Sequence, residues 1–260
     1  MKLSVSNSCF PADSFSNMAA LPKDFGIEVQ IELGTEFFWK TNLARVMDGR
    51  TGNLSIHGQF VHIDLSAKDM PEQEVFDYYK WGFDMYNRYN GTHFVIHPDG
   101  KLEAPAATPD EVADRRARAL ERIAKLSEMA KAQNVNLLVE NLRPKGYGMI
   151  FDEKEFIGLF DQLPQVGCLI DTGHMCLSGW DFTHVLSKLA DKIFAYHIND
   201  TYGLLDEHKP VGQGIIDWAS FFKDYKTYTP KAEMVLEYKG CTVDEIVANA
   251  RMIRALMGEA

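Results

Sequence analysis

Four short apolar runs in this 260-residue sequence end in a residue able to bind a metal ion or move a proton. LLVE ends at Glu140, CLID at Asp171, AYH at His197 and MVLE at Glu237. Carboxylates are almost never fully buried unless paired or coordinated, so their recurrence at the ends of apolar runs asks for a common cause. His57 in LSIHG and His97 in FVIHPDG occupy the same kind of position. His174 closes the run DTGH, and Asp206 and His208 lie in DEHKPVGQG. Carboxylates combined with imidazoles suit zinc, manganese, cobalt or iron better than calcium. A lone histidine is more often an ordinary packed or surface residue, and His62, His93 and His184 are read that way. The coincidence of four such groups on successive runs is what points to one site.

These residues must be positioned by the elements that carry them. Short β-rich runs alternate with helical stretches, which predicts βαβ units and a parallel sheet. Candidate strands occupy 2–8, 27–33, 53–60, 93–97, 135–140, 167–171, 193–198 and 233–238. The clearest helix spans 108–133, where Thr108, Pro109 and Glu111 supply an N-cap, a first-turn proline and a capping-box carboxylate. Thr242 and Glu245 repeat that signature before the last helix, VDEIVANARMIRALM. Further helices are expected at 14–24, 38–48, 72–90, 153–163, 181–190 and 217–225. Eight strands with about as many helices predict an α/β chain folded as one (β/α)8 TIM barrel domain over residues 1–260. The C-terminal ends of barrel strands open on one face, so the four groups converge on one mouth.

Composition narrows the classes. Hydrophobic content of 46% and charged content of 25% are those of a globular domain able to bury a large core. A net charge of −10 argues against nucleic acid as a partner. Cys9, Cys168, Cys176 and Cys241 form no C-x-x-C pair, as expected of free thiols in a reducing compartment. The opening residues lack the apolar run of a signal peptide, and no stretch of about 18 apolar residues spans a bilayer. A cytoplasmic protein without membrane contact is expected, either monomeric or oligomeric.

At VEN (139–141), LIDTGH (169–174), HIND (197–200), the H-x-P-x-G-x-G loop (208–214) and LEYK (236–239), the chain resembles the xylose-isomerase-like barrel superfamily. That group holds sugar isomerases, ketose epimerases, inosose-type dehydratases and zinc apurinic-site endonucleases. The resemblance runs through essentially the whole chain. It implies shared metal ligands at Glu140, Asp171, His197 and Glu237. His57 and His97 fall where the endonuclease branch places two ligands of an additional zinc, and His174, Asp206 and His208 where it places those of a third. In isomerase-like members such residues serve substrate binding. The endonucleases' basic loop after the second strand has no counterpart in ELGTEFFWK, where Glu32 and Glu36 would repel phosphates. The ketose epimerases' second Glu and their Arg are replaced by Gly146 and Gly203.

The resemblance therefore implies a metal-dependent isomerase or epimerase acting on a sugar, sugar phosphate or keto-sugar in carbohydrate metabolism. Proton transfer would pass through a metal-stabilised enediolate, with Glu140 and Glu237 as the catalytic carboxylates and zinc, manganese or cobalt as the cofactor. Asn141 and Lys239 would orient ligands, while Arg143 and Lys145 would meet a phosphate or carboxylate on the substrate. Phe37, Phe38 and Trp39 would wall the sugar or pack against the rim. The alternative is an apurinic-site phosphodiesterase with two or three zinc ions, and a third option is a barrel that keeps metal for structure or sensing.

Overall fold

Side chains along each strand alternate between two buried environments, and that alternation organises the whole molecule. In the computed structural model, which describes residues 2–10, 14–100, 107–145 and 148–259, eight parallel strands close into a barrel in chain order. They are β1 Leu3–Ser6, β2 Gly26–Gln30, β3 Leu54–His57, β4 Phe94–Ile96, β5 Leu137–Glu140, β6 Gly167–Asp171, β7 Ile193–Ile198 and β8 Glu233–Leu236. β1 pairs with β8 at Leu3–Met234, which closes the ring. Outward residues such as Val5, Ile27, Phe94, Ile170, Tyr196 and Leu236 join the helices in one continuous core. Burying a side chain of this size stabilises the fold by roughly 1.5–3 kcal/mol. Val95, Leu138, Leu169 and Ala195 form a separate apolar plug inside the barrel. At the N-terminal end of the barrel Asn53 donates to Glu233 at 3.2 Å, and Ser4 donates to the same carboxylate.

The helices described are α1 Ser14–Ala20, α2 Glu36–Met47, α3 Glu72–Arg88, α4 Pro109–Ala132, α5 Glu153–Gln162, α6 Thr172–Ser178, α7 Phe182–Lys188, α8 Trp218–Tyr228 and α9 Val243–Leu256. The capping boxes expected at Thr108/Glu111 and Thr242/Glu245 are formed, and Asp152/Glu155 makes a third at the start of α5. α6 lies between residues 171 and 181, where the sequence reading expects no helix. Asp171 ends β6 and also caps α6, its side chain accepting from the backbone N–H of His174. The helix is seven residues long and closes on Gly179 at φ 66°, too short for an apolar period to show. Among the described residues no helix is long and apolar enough to cross a membrane.

Candidate metal centre

Six of the nine singled-out residues stand at the C-terminal mouth because their strands stop there. His57, Glu140 and Asp171 are the last residues of β3, β5 and β6. His197 is the penultimate residue of β7, while His97 and Glu237 come one residue after β4 and β8. β7 keeps the expected bounds 193–198, with His197 penultimate, whereas β8 stops at Leu236, two residues short of the expected 238, and leaves Glu237 just beyond it. Inward orientation, shared at alternate positions, matters more than the last ladder hydrogen bond. α6 brings His174, and the β7–α8 loop brings Asp206 and His208.

Among the described residues the side chains assemble into four groups, three of them overlapping, each with ligand atoms within 4.8 Å of one another. One comprises Glu140, Asp171, His197 and Glu237; a second His57, His97 and Glu140; a third His174, Asp206 and His208. His57 also groups with His197 and Glu237. Glu140 is the hinge between them. Its Oε2 lies 2.9 Å from His97 Nε2 and 3.3 Å from His57 Nε2, while Oε1 lies 3.2 Å from His197 Nδ1. Asp206 Oδ1 stands 3.1 Å from His208 Nε2 and 3.5 Å from His174 Nε2. His208 holds a left-handed backbone, φ 48°, which is uncommon away from glycine and fits a loop constrained by its site.

Charge is balanced between imidazoles and carboxylates. Burial alone would lower the pKa values of His174, His197 and His208, but Asp171, Glu237 and Asp206 respectively lead the carboxylates that raise them above the usual imidazole range. Burial likewise opposes His57, which Glu140 raises. His97 goes the other way, pushed down to about 4 by burial despite Glu140. Burial works to raise Glu140, yet His197, His97 and His174 hold it well below the ordinary carboxylate range. For Glu237 burial wins and the value rises. His197 Nδ1 is buried without a hydrogen-bond partner, although Glu140 Oε1 and Glu237 Oε2 lie 3.2 Å and 3.4 Å away. Oxygens facing an orphaned imidazole nitrogen, in a mixed nitrogen and oxygen donor set, suit a divalent cation of the zinc, manganese or cobalt type.

Of the supporting residues, Gln30 gives no signal in the sequence, Gly173, Asn199, Asp200 and Gly214 lie inside motifs without an assigned role, and Asn141 is where a ligand-orienting residue is expected. Asn199 donates to Asp171 Oδ2 at 2.7 Å. Gly173 permits that approach, since a Cβ there would stand 2.0 Å from Asn199 Oδ1. Gln30 donates to Glu237 Oε1 at 2.6 Å. Asp200 accepts from the backbone N–H groups of Gly212, Gly214 and Ile216 and from Trp218 Nε1, fixing the loop that carries Asp206 and His208. A Cβ on Gly214 would meet Asp200 Oδ1 at 2.3 Å, which accounts for the second glycine of that motif. Asn141 brackets Asp171, accepting from its N–H at 2.7 Å and donating to its carbonyl at 3.2 Å.

Seven of the nine, all but Asp171 and His197, line a cleft of about 180 Å³ with Ser8, Gln30, Phe60, Arg143, Lys145 and Lys239. Phe60, not the Phe37–Trp39 run, supplies the aromatic wall, its ring centroid 4.3 Å from that of His97. Trp39 is buried and donates to the carbonyl of Ile31 at 3.2 Å, Phe38 packs edge-on against it, and Phe37 is exposed. One oxygen of Glu32 accepts from the N–H groups of Phe60 and Val61, which fixes that carboxylate and leaves its negative charge in place. Lys145 pairs with Asp99. Lys239 donates to the carbonyl of Asp206 at 2.8 Å, and Arg143 stands 3.7 Å from the Asp206 carboxylate. Gly203 has φ 86°, whereas Gly146 lies outside the described residues.

A closed parallel barrel with carboxylates and imidazoles gathered at its C-terminal mouth defines the class of barrel enzymes. The chain belongs to the xylose isomerase-like TIM barrel family, which it matches over residues 28–256. It is 36% identical over 124 residues to a protein named probable endonuclease 4 from Protochlamydia amoebophila, a match spanning 38% of this chain and 43% of that one. It is 23% identical over 235 residues to another so named from Thermoplasma volcanium, spanning 84% and 78%. Among solved structures, a D-tagatose 3-epimerase-like protein superposes with a TM-score of 0.80 at 16% identity over 99% of this chain and 97% of that one. IOLI protein with a binding zinc atom gives 0.79 at 16% identity over 100% and 99%. At that identity the superpositions establish the fold alone.

Proposed function

We propose that this chain is a divalent-metal-dependent enzyme that isomerises or epimerises a small keto-sugar or sugar phosphate by moving a proton at the carbon beside a carbonyl. The observation that carries this reading is the pair Glu140 and Glu237, both buried and both within 3.4 Å of His197 Nδ1, on the floor of a monosaccharide-sized cleft. A divalent cation held by Glu140, Asp171, His197 and Glu237 would polarise the substrate carbonyl and offset the charge developing on its oxygen.

The protein's own groups supply the rest. Glu140 and Glu237 enter from β5 and from the end of β8, on different sides of the mouth. One carboxylate taking the proton and the other returning it gives epimerisation; one carboxylate moving it between adjacent carbons gives isomerisation. Phe60 offers an apolar face to the sugar ring, His174 and His208 position its oxygens, and Arg143 and Lys239 stand where a phosphate or carboxylate would enter.

A second reading, phosphodiester hydrolysis at two or three zinc ions, is favoured by the separate His174–Asp206–His208 group and by the relatives named probable endonuclease 4. The two part on metal content and substrate. Protein purified without added metal is to be analysed for metal equivalents and assayed on keto-sugars, their phosphates and abasic-site DNA. Turnover of a keto-sugar with about one cation per chain supports the first reading. About three zinc ions with nicking of abasic DNA and no sugar turnover would replace it with the second.

A further inference from the structure

We infer that Glu28, in the middle of β2, is a positioning residue that fixes which nitrogen His197 presents to Glu140 and Glu237. It rests on the reading of His197 as a metal ligand. Glu28 is fully buried inside the barrel, and its Oε1 lies 2.9 Å from His197 Nε2. Ser55 donates to its Oε2 at 3.2 Å, and His93 Nε2 lies 3.5 Å from the same oxygen. Ser55 thus anchors the carboxylate from β3, and the His93 imidazole, just before β4, lies beside it. An ionised carboxylate only accepts, so in the neutral imidazole that a cation requires the proton sits on Nε2 and Nδ1 carries the lone pair. That Nδ1 is the buried nitrogen without a hydrogen-bond partner, turned toward Glu140 and Glu237. The His197 ring is also stacked on His57, with centroids 5.5 Å apart and planes 15° from parallel, so it cannot turn over without displacing a neighbour. A carboxylate behind an imidazole makes it a stronger and better aimed ligand.

The test uses metal-free protein titrated with cobalt(II), followed by calorimetry and by the visible absorption of the bound ion. Glu28→Gln should bind cobalt about 10–100-fold more weakly with a shifted absorption band, and Glu28→Asp, which keeps the charge, should fall between it and the wild type. A Glu28→Gln protein with unchanged affinity and spectrum, and only a lower melting temperature when metal-free, would overturn the inference. If that variant does not fold, nitrogen-15 spectra of the wild-type histidines in the zinc-loaded protein decide: a proton on His197 Nε2 is expected, and one on Nδ1 overturns it. A wild type that binds no cobalt removes the premise that His197 is a ligand, an outcome distinct from a wild type and a Glu28→Gln variant that bind equally.

Discussion

Glu140 Oε2 lies 2.9 Å from Nε2 of His97, while the other oxygen of the same carboxylate faces His197. One side chain thereby joins the group shared across the mouth to the histidines of β3 and β4. If His97 orients Glu140 and does not itself hold an essential ion, His97→Ala should lower kcat/KM by about 10–100-fold while leaving the metal content of the purified protein unchanged. Loss of a full metal equivalent, measured by elemental analysis, would instead assign His97 to a second cation.

The ionisation balance gives the metal-free protein a distinctive pH profile. His174, His197 and His208 have folded pKa values above the ordinary 6.5, so their contribution to stability is complete below about pH 6.5 and is lost as pH rises through the folded values. Glu28 and Glu140 lie below their ordinary 4.5, so theirs is present above about pH 4.5 and is lost as pH falls. Metal-free protein should therefore melt highest between about pH 4.5 and 6.5. A cation needs those imidazoles deprotonated, so the rise in melting temperature on adding metal should grow from about pH 6 to 8. Melts with and without chelator check this; a metal-induced shift independent of pH would contradict it.

Among the described residues Asp200 hydrogen-bonds to none of the nine candidate ligand side chains, yet it holds the loop that carries two of them. Asp200→Asn turns one acceptor into a donor facing N–H groups and should cost on the order of 2–3 kcal/mol in denaturant unfolding. It should also weaken whatever binds at Asp206 and His208 more than what binds at Glu140 and Asp171. Equal effects at both places would mean that the loop is held by other contacts.

The barrel was legible in the sequence because all eight strands appear as short apolar runs between helical segments, although the ladders are shorter than those runs. Parallel strands covered on one face by helices and on the other by the barrel interior need apolar residues at most positions; among the exceptions Glu140, Asp171, His197 and Glu237 mark the mouth, whereas Ser4 and Glu233 pair at the opposite end. Glu28 and Gln30 escaped notice for the same reason. In an open sheet the alternation in IEVQIEL marks a solvent face, whereas in a closed barrel the second face is the interior. Phe60 was missed because it follows β3 in irregular backbone, and contact with the His97 ring depends on how the chain folds over the mouth. Phe38 and Trp39, by contrast, belong to α2 and pack into the rim.

The central claim is that Glu140 and Glu237 move a proton on and off a substrate carbon. It is tested most directly by incubating the metal-loaded enzyme with its keto-sugar in deuterium oxide and following the carbon-bound hydrogens by NMR. Deuterium should appear at the carbon beside the carbonyl with the wild type, and at a rate at least about 100-fold lower with Glu237→Gln. Turnover of the sugar with no solvent deuterium at any carbon, or exchange that Glu237→Gln leaves unchanged in a protein with full metal content, would contradict it.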